Sequence, residues 1–147
     1  MGHDRWDSAV VYQIYWRSFM DANQDGIGDI SGLLSRADHI QQLGIDAIWL
    51  NPTYPSPQGD HGYDVSDYFD VEPMFGSLEE FDRMIADLHQ RGIMILMDIV
   101  PNHVSSQHKW FQSALSGGIG NPDEKRFIIR EGTGDGGMNP PNDWISI

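Results

Sequence analysis

Two short stretches, Ile45 to Leu50 (IDAIWL) and Ile93 to Val100 (IMILMDIV), are apolar almost from end to end. A strand with one wet face alternates apolar and polar residues. A run that barely alternates belongs to a strand covered on both faces, the situation of parallel sheets flanked by helices. A third β-rich stretch, Val10 to Trp16 (VVYQIYW), precedes them. Parallel neighbours need crossovers, and the intervening sequence has the period for them. Ile30, Leu33, Leu34, Ala37, Ile40 and Leu43 recur at helical spacing and stop at Gly44, a residue suited to the left-handed position that ends a helix. Leu78, Phe81, Met84, Ile85 and Leu88 form a second stripe between Ser77 and Arg91. Ser77 and Glu80 have the spacing of a capping box, and Gly92 follows the last turn. The order β-α-β-α-β predicts an α/β fold with right-handed crossovers.

Three parallel strands and two crossovers leave an open sheet edge. Closing such a sheet into an eight-stranded barrel takes about 250 residues, and the sequence has 147. The chain therefore reads as the start of something larger. Trp110, Phe111, Ala114 and Leu115 predict a short helix after the third strand. From Asn121 to Ile147 the sequence is rich in Gly, Pro, Asn and Asp, with one strand predicted at Arg126 to Arg130. This is the composition of a loop-rich excursion, not of another strand–helix unit.

The formal net charge is −13. Such a surface repels phosphate backbones and excludes nucleic acid as an expected partner. It suits cations and neutral ligands such as sugars. There is no cysteine, so neither a disulfide framework nor thiol chemistry is available, which fits a reducing compartment. Met1 to Asp7 is polar and charged, with no apolar signal core after it, and no run approaches a membrane span. The expectation is a cytoplasmic protein without a membrane partner.

The segment DANQDGIGD follows the first strand. Asp21, Asn23, Asp25, Ile27 and Asp29 alternate there, offering carboxylates, an amide and a backbone carbonyl, while Gly26 allows a sharp turn. That is how a chain wraps a hard cation, Ca²⁺ first and Mg²⁺ second, in a structural role. It is not an EF-hand: the twelfth position is Gly32 instead of a bidentate Glu, and a strand precedes it. A solvated, Asx-rich turn is the competing reading.

In α/β barrels the site is built from loops at the C-terminal ends of the strands. After the second strand come Asp60, His61, Gly62, Tyr63 and Asp64. A carboxylate at Asp60 takes sugar hydroxyls, and the ring of Tyr63 stacks on a pyranose; a loop aspartate and a packed tyrosine are the plainer alternative. The third strand ends in Asp98, followed by Asn102 and His103. A carboxylate inside an apolar strand is costly without a partner, so Asp98 requires a cation or a donor. His103 reads as a hydrogen-bond donor to substrate, or as an ordinary loop residue. Trp49, Trp110 and Phe111 are expected to pack, and His39, His89 and His108 to be solvated.

The stretches VVYQIYWRSFMDANQDGIGDISGL, LGIDAIWLNPTYPSP, GYDVSDY, FGSLEEFD, MDIVPNHVSSQHKWF and PPNDW occur in this order between Trp6 and Trp144. Together they resemble glycoside hydrolase family 13, the α-amylase family, and within it the α-glucosidase and oligo-1,6-glucosidase group. The resemblance implies the N-terminal part of a TIM (β/α)8 barrel: residues 1–104 carry its first three strands and two helices, and residues 105–147 begin the excursion called domain B. It implies that Asp21, Asn23, Asp25, Ile27 and Asp29 are the calcium ligands. Asp60, Tyr63 and His103 become ligands of the terminal glucose, Asp98 the partner of an arginine after the fourth strand, and Asn102 a structural asparagine. It further implies a retaining mechanism on α-glucosides such as maltose, isomaltose or sucrose. The nucleophile and the acid/base are expected beyond Ile147, so the 147 residues alone should be inactive. The alternative is a non-catalytic calcium- or sugar-binding module derived from the same barrel.

Overall fold

The computed structural model describes residues 6–117 and 120–143. The three apolar runs form β1 (Val11–Ile14), β2 (Ala47–Leu50) and β3 (Met94–Met97), joined in one parallel sheet in sequence order. Ile14 lies level with Leu50, and Leu50 with Met97. The strands are shorter than their runs, but the ladder continues past them, with Asn51 N–H donating to Ile14 C=O and Asp98 N–H to Leu50 C=O, both at 3.2 Å.

Side chains alternate across a strand, so the register sorts the sheet into two faces. Ile14, Ile48 and Leu50 are buried in the core with Ile30, Leu33, Ile40, Met84 and Leu88 of the crossover helices. The opposite face carries Val11, 41% exposed, and Trp49, 37% exposed. Trp49 lies on that face, the one the crossover helices do not cover.

The first crossover is two helices instead of the one predicted: α2 (Ile30–Ser35) and α3 (Ala37–Gln42) meet at Arg36, whose φ −105° and ψ 5° break the regular turn. Ser35 Oγ donates back to the Gly32 carbonyl at 2.6 Å, a local bond that competes with the helical ladder. The apolar stripe survives the break, because Ile30, Leu33, Ala37 and Ile40 stay buried. The second crossover, α4 (Leu78–Gln90), forms as its caps require. Ser77 and Glu80 make the reciprocal capping box, and Gly92 takes φ 79° after the last turn. A short helix unanticipated from sequence, α1 (Trp16–Phe19), cuts the first strand short. Trp16 is buried there, stacked 5.4 Å from Phe75, with its indole N–H on Thr53 Oγ1 at 3.1 Å.

Contacts divide the chain into Met1–His108 and Lys109–Ile147. Ser105 N–H donates to Val65 C=O at 2.8 Å within the first unit. His108, expected in solvent, is 1% exposed and packs 5.7 Å from the Tyr68 ring. His39 and His89 are exposed as expected.

In the second unit, the predicted helix is α5 (Lys109–Ser116). The predicted strand Arg126 to Arg130 does not form. Glu124–Arg126 is a turn of 3-10 helix, Arg126 lies 4.6 Å over the Trp110 ring, and Phe127 meets Phe111 edge-on at 5.3 Å. Ile128 is 91% exposed. Aromatic and β-branched residues alone cannot make a strand where no neighbour supplies the ladder, and the strand pairing described in this unit is a single bridge, Thr133 to Asn139. Trp144 of the PPNDW motif lies outside the described residues.

Candidate functional site

The register that buries Ile14 and Leu50 also builds the mouth. Extending it by one residue sets Tyr15, Asn51 and Asp98 level with one another, on the face away from the helices. Gln13 lies one step below on the same face, and its Nε2 donates to Asn51 Oδ1 at 3.2 Å. The loop after β2 brings Tyr63 onto this row. Asn51 Nδ2 donates to the Tyr63 hydroxyl at 3.2 Å, and that hydroxyl donates to Asp98 Oδ2 at 2.7 Å. The donor that Asp98 requires is therefore a phenol from the neighbouring loop. Burial, then the hydrogen bond to Asp98 and its negative charge, hold the Tyr63 phenol above its ordinary pKa, so it remains a donor at neutral pH. Burial and the same carboxylate push Tyr54 in the same direction.

His103 joins from the loop after β3. Its Nε2 lies 3.1 Å from the Tyr63 carbonyl, and its Nδ1 lies 3.2 Å from Asn102 Nδ2. One contact requires a protonated Nε2 and the other a bare Nδ1, a consistent neutral tautomer. Tyr63, Asp98, Asn102 and His103 are thus tied together.

Asp60 lies on the same loop, in a turn closed by Tyr63 N–H on its carbonyl at 2.9 Å. Asp64 fastens the loop from within. It takes the Ser56 hydroxyl at 2.5 Å, Gly59 N–H at 2.9 Å and Asp60 N–H at 3.2 Å. Partial burial pushes the Asp64 carboxyl up, but these donors outweigh it and leave the pKa below the ordinary value. The Asp60 carboxylate accepts no hydrogen bond from the described residues and is free for a ligand. Sequence reasoning missed Gln13, Tyr15, Asn51 and His61. The alternation of VYQIY continued past the strand end was the signal for the first two.

The carboxylate loop is laced by its own backbone amides. Asp21 accepts from Gln24 N–H at 2.6 Å and Gly26 N–H at 2.8 Å. Asn23 accepts from Asp25 N–H at 2.9 Å, and Asp25 from Ile27 N–H at 2.8 Å. Positive φ at Gln24 (68°) and Gly26 (92°) provides the curvature. Asp29 is 7% exposed and caps α2, accepting Gly32 N–H at 2.6 Å and two further amides, Ala22 and Asn23. Among the described residues no three His, Cys, Asp or Glu side chains converge as a metal site. An ion here therefore needs the Asn23 amide and the Ile27 carbonyl beside the carboxylates. That all-oxygen donor set suits Ca²⁺ or Mg²⁺ and no soft metal.

Residues 13–147 match the family model described as "Alpha amylase, catalytic domain". The chain is 47% identical to a protein of Rhizobium meliloti (strain 1021) named "Probable alpha-glucosidase", over 98% of the chain and 26% of that protein. It is 46% identical to an "Oligo-1,6-glucosidase" of Heyndrickxia coagulans, over 97% of the chain and 25% of that protein. The crystal structure of a MutB mutant in complex with the substrate sucrose superposes with a TM-score of 0.92 at 47% identity, covering 99% of the chain and 26% of MutB. The chain thus spans about a quarter of the length of the proteins it matches. Its β1 to β3 and their crossovers are the N-terminal part of the (β/α)8 barrel of these enzymes. With residues 13–147 matching that model, this chain belongs to the α-amylase catalytic-domain family.

Proposed function

We propose that this chain supplies the N-terminal, sugar-gripping part of a retaining α-glucosidase that removes terminal glucose from α-glucosides such as maltose, isomaltose or sucrose. The observation that carries the reading is the junction at Tyr63, which ties the ends of β2 and β3 together through Asn51, Asp98 and His103 beside a free Asp60 carboxylate. Asp60 takes ring hydroxyls, His103 turns its Nε2–H from the Tyr63 carbonyl to a hydroxyl of the same glucose, and Tyr63 gives the ring a wall. Asp98 and Asn102 keep these groups in place. The nucleophile and the acid/base, about 5 Å apart in retaining enzymes, lie outside these residues. The sucrose complex of MutB supports a sucrose-type substrate.

In this reading a structural Ca²⁺, or Mg²⁺, is held by Asp21, Asn23, Asp25, the Ile27 carbonyl and Asp29, and braces the loop between β1 and α2. The place of work is the cytoplasm, supported by the absence of cysteine; no described helix is long and apolar enough to cross a membrane.

The test is a chimera in which this chain replaces the matching quarter of the Heyndrickxia coagulans oligo-1,6-glucosidase. It should hydrolyse p-nitrophenyl α-glucoside, and Asp60→Ala or His103→Ala should reduce kcat/KM by about a hundredfold, the loss of about 2.7 kcal/mol of binding to the transition state. The 147-residue chain alone should turn over nothing. A folded chimera that binds glucose but lacks turnover would support the non-catalytic module instead.

A further inference from the structure

Asp60 lies next to an unusual backbone. His61 has φ 53° and Gly62 φ 97°. A left-handed conformation is sterically disfavoured for any residue with a Cβ, and it persists where the surroundings hold it. At Gly62 glycine meets the requirement, since a Cβ would come within 3.2 Å of the Pro52 carbonyl oxygen. At His61 the side chain itself supplies the hold. Its Nδ1 lies 2.9 Å from the Tyr15 hydroxyl, 46 residues away in sequence, and the two rings meet edge to face at 6.2 Å. Tyr15 is the mouth residue just beyond β1, level with Asn51 and Asp98. The loop is therefore tied at two points. Tyr63 fastens it to the ends of β2 and β3, and His61 fastens its tip to the end of β1. Asp60 stands beside the second tie and takes part in neither through its side chain.

We propose that Tyr15 and His61 are positioning residues, whose bridge holds the loop tip in the left-handed turn that aims Asp60 across the mouth. The inference rests on the reading of Asp60 as a sugar ligand. The bridge restricts where the Asp60 carboxylate can go before any sugar arrives, and such preorganisation lowers the cost of binding. Neither residue need touch the substrate.

Two substitutions separate the bridge from the strain. Tyr15→Phe removes the hydroxyl and leaves the strained backbone. His61→Gly removes the imidazole and relaxes the backbone, so it stays compatible with the turn and readable if the first variant fails to fold. The first readout needs no sugar. In the 147-residue chain, exchange of the Tyr63 amide, which closes the turn on Asp60, should quicken about fivefold in Tyr15→Phe and less in His61→Gly, where relief of backbone strain offsets part of the lost bridge, and the double variant should match His61→Gly. The second readout is the chimera, where KM for p-nitrophenyl α-glucoside should rise about fivefold with a smaller change in kcat, again without addition in the double variant. Unchanged exchange in both single variants overturns the bridge. Faster exchange with unchanged KM overturns the positioning role. If the unsubstituted chimera has no turnover, the α-glucosidase reading fails instead, and amide exchange still decides whether the bridge exists.

Discussion

Replacing Tyr63 by Phe removes one hydroxyl and little else, so it isolates the junction at the mouth. That hydroxyl donates to Asp98 Oδ2 at 2.7 Å and accepts from Asn51 Nδ2 at 3.2 Å. A hydrogen bond to a charged group contributes about 1.5–3 kcal/mol, and one between neutral groups about 0.5–1.5 kcal/mol. Both contacts are partly buried, so water recovers some of each loss. The expected cost is about 2 kcal/mol, with the ring still packed. Urea melts of the chain and its variant at neutral pH read this as a lower midpoint at unchanged slope. Asp98→Asn adds a control, because its amide oxygen still accepts from the phenol but lacks the charge. The two substitutions together should cost about 1 kcal/mol less than their sum. A loss below about 0.5 kcal/mol for Tyr63→Phe, or strict additivity with Asp98→Asn, would refute the phenol–carboxylate bond.

Other perturbations probe the frame around this junction. Gly28→Ala should cost about 3 kcal/mol or more in thermal melts, because its Cβ would stand 2.0 Å from the Trp16 carbonyl oxygen, and backbone cannot yield as a side chain can. Ser77→Ala should cost about 1 kcal/mol by opening the capping box of α4. Asp64 has a folded pKa below its ordinary value, so its contribution is full above about pH 4 and is lost as pH falls through the lowered folded value. Acid melts should therefore steepen in that range for the parent chain and flatten for Asp64→Asn. If the loop after β1 binds Ca²⁺, the ion at a hundred times its Kd should add about 2.7 kcal/mol of stability. EDTA or Asp21→Ala should abolish that gain.

The order of the elements was legible because it depends on local pattern. Near-continuous apolar runs become strands, Ser77 with Glu80 starts a helix, and Gly44 and Gly92 end helices where left-handed residues are needed. The break at Arg36 was not legible, since the stripe from Ile30 to Ile40 is uninterrupted and the bend involves a serine bonding backward. The strand at Arg126 to Arg130 failed for the opposite reason: its local pattern was adequate, but a strand also needs a neighbour. The predicted mouth residues Tyr63, Asp98, Asn102 and His103 do come together, while Gln13 and Asn51 went unnoticed. They lie far apart in sequence, and only the register sets them level. The buried state of His108 likewise depends on packing against Tyr68, which helical spacing does not reveal.

The gathering of Asp60, Tyr63 and His103 around one glucose ring is tested most directly by a crystal structure of the chimera soaked with glucose. The expected density is a pyranose above the C-terminal ends of β2 and β3, with the Asp60 carboxylate and the His103 imidazole within hydrogen-bond distance of its hydroxyls and Tyr63 against the ring. A sugar bound elsewhere, or one in the mouth that leaves Asp60 and His103 out of reach, would contradict it.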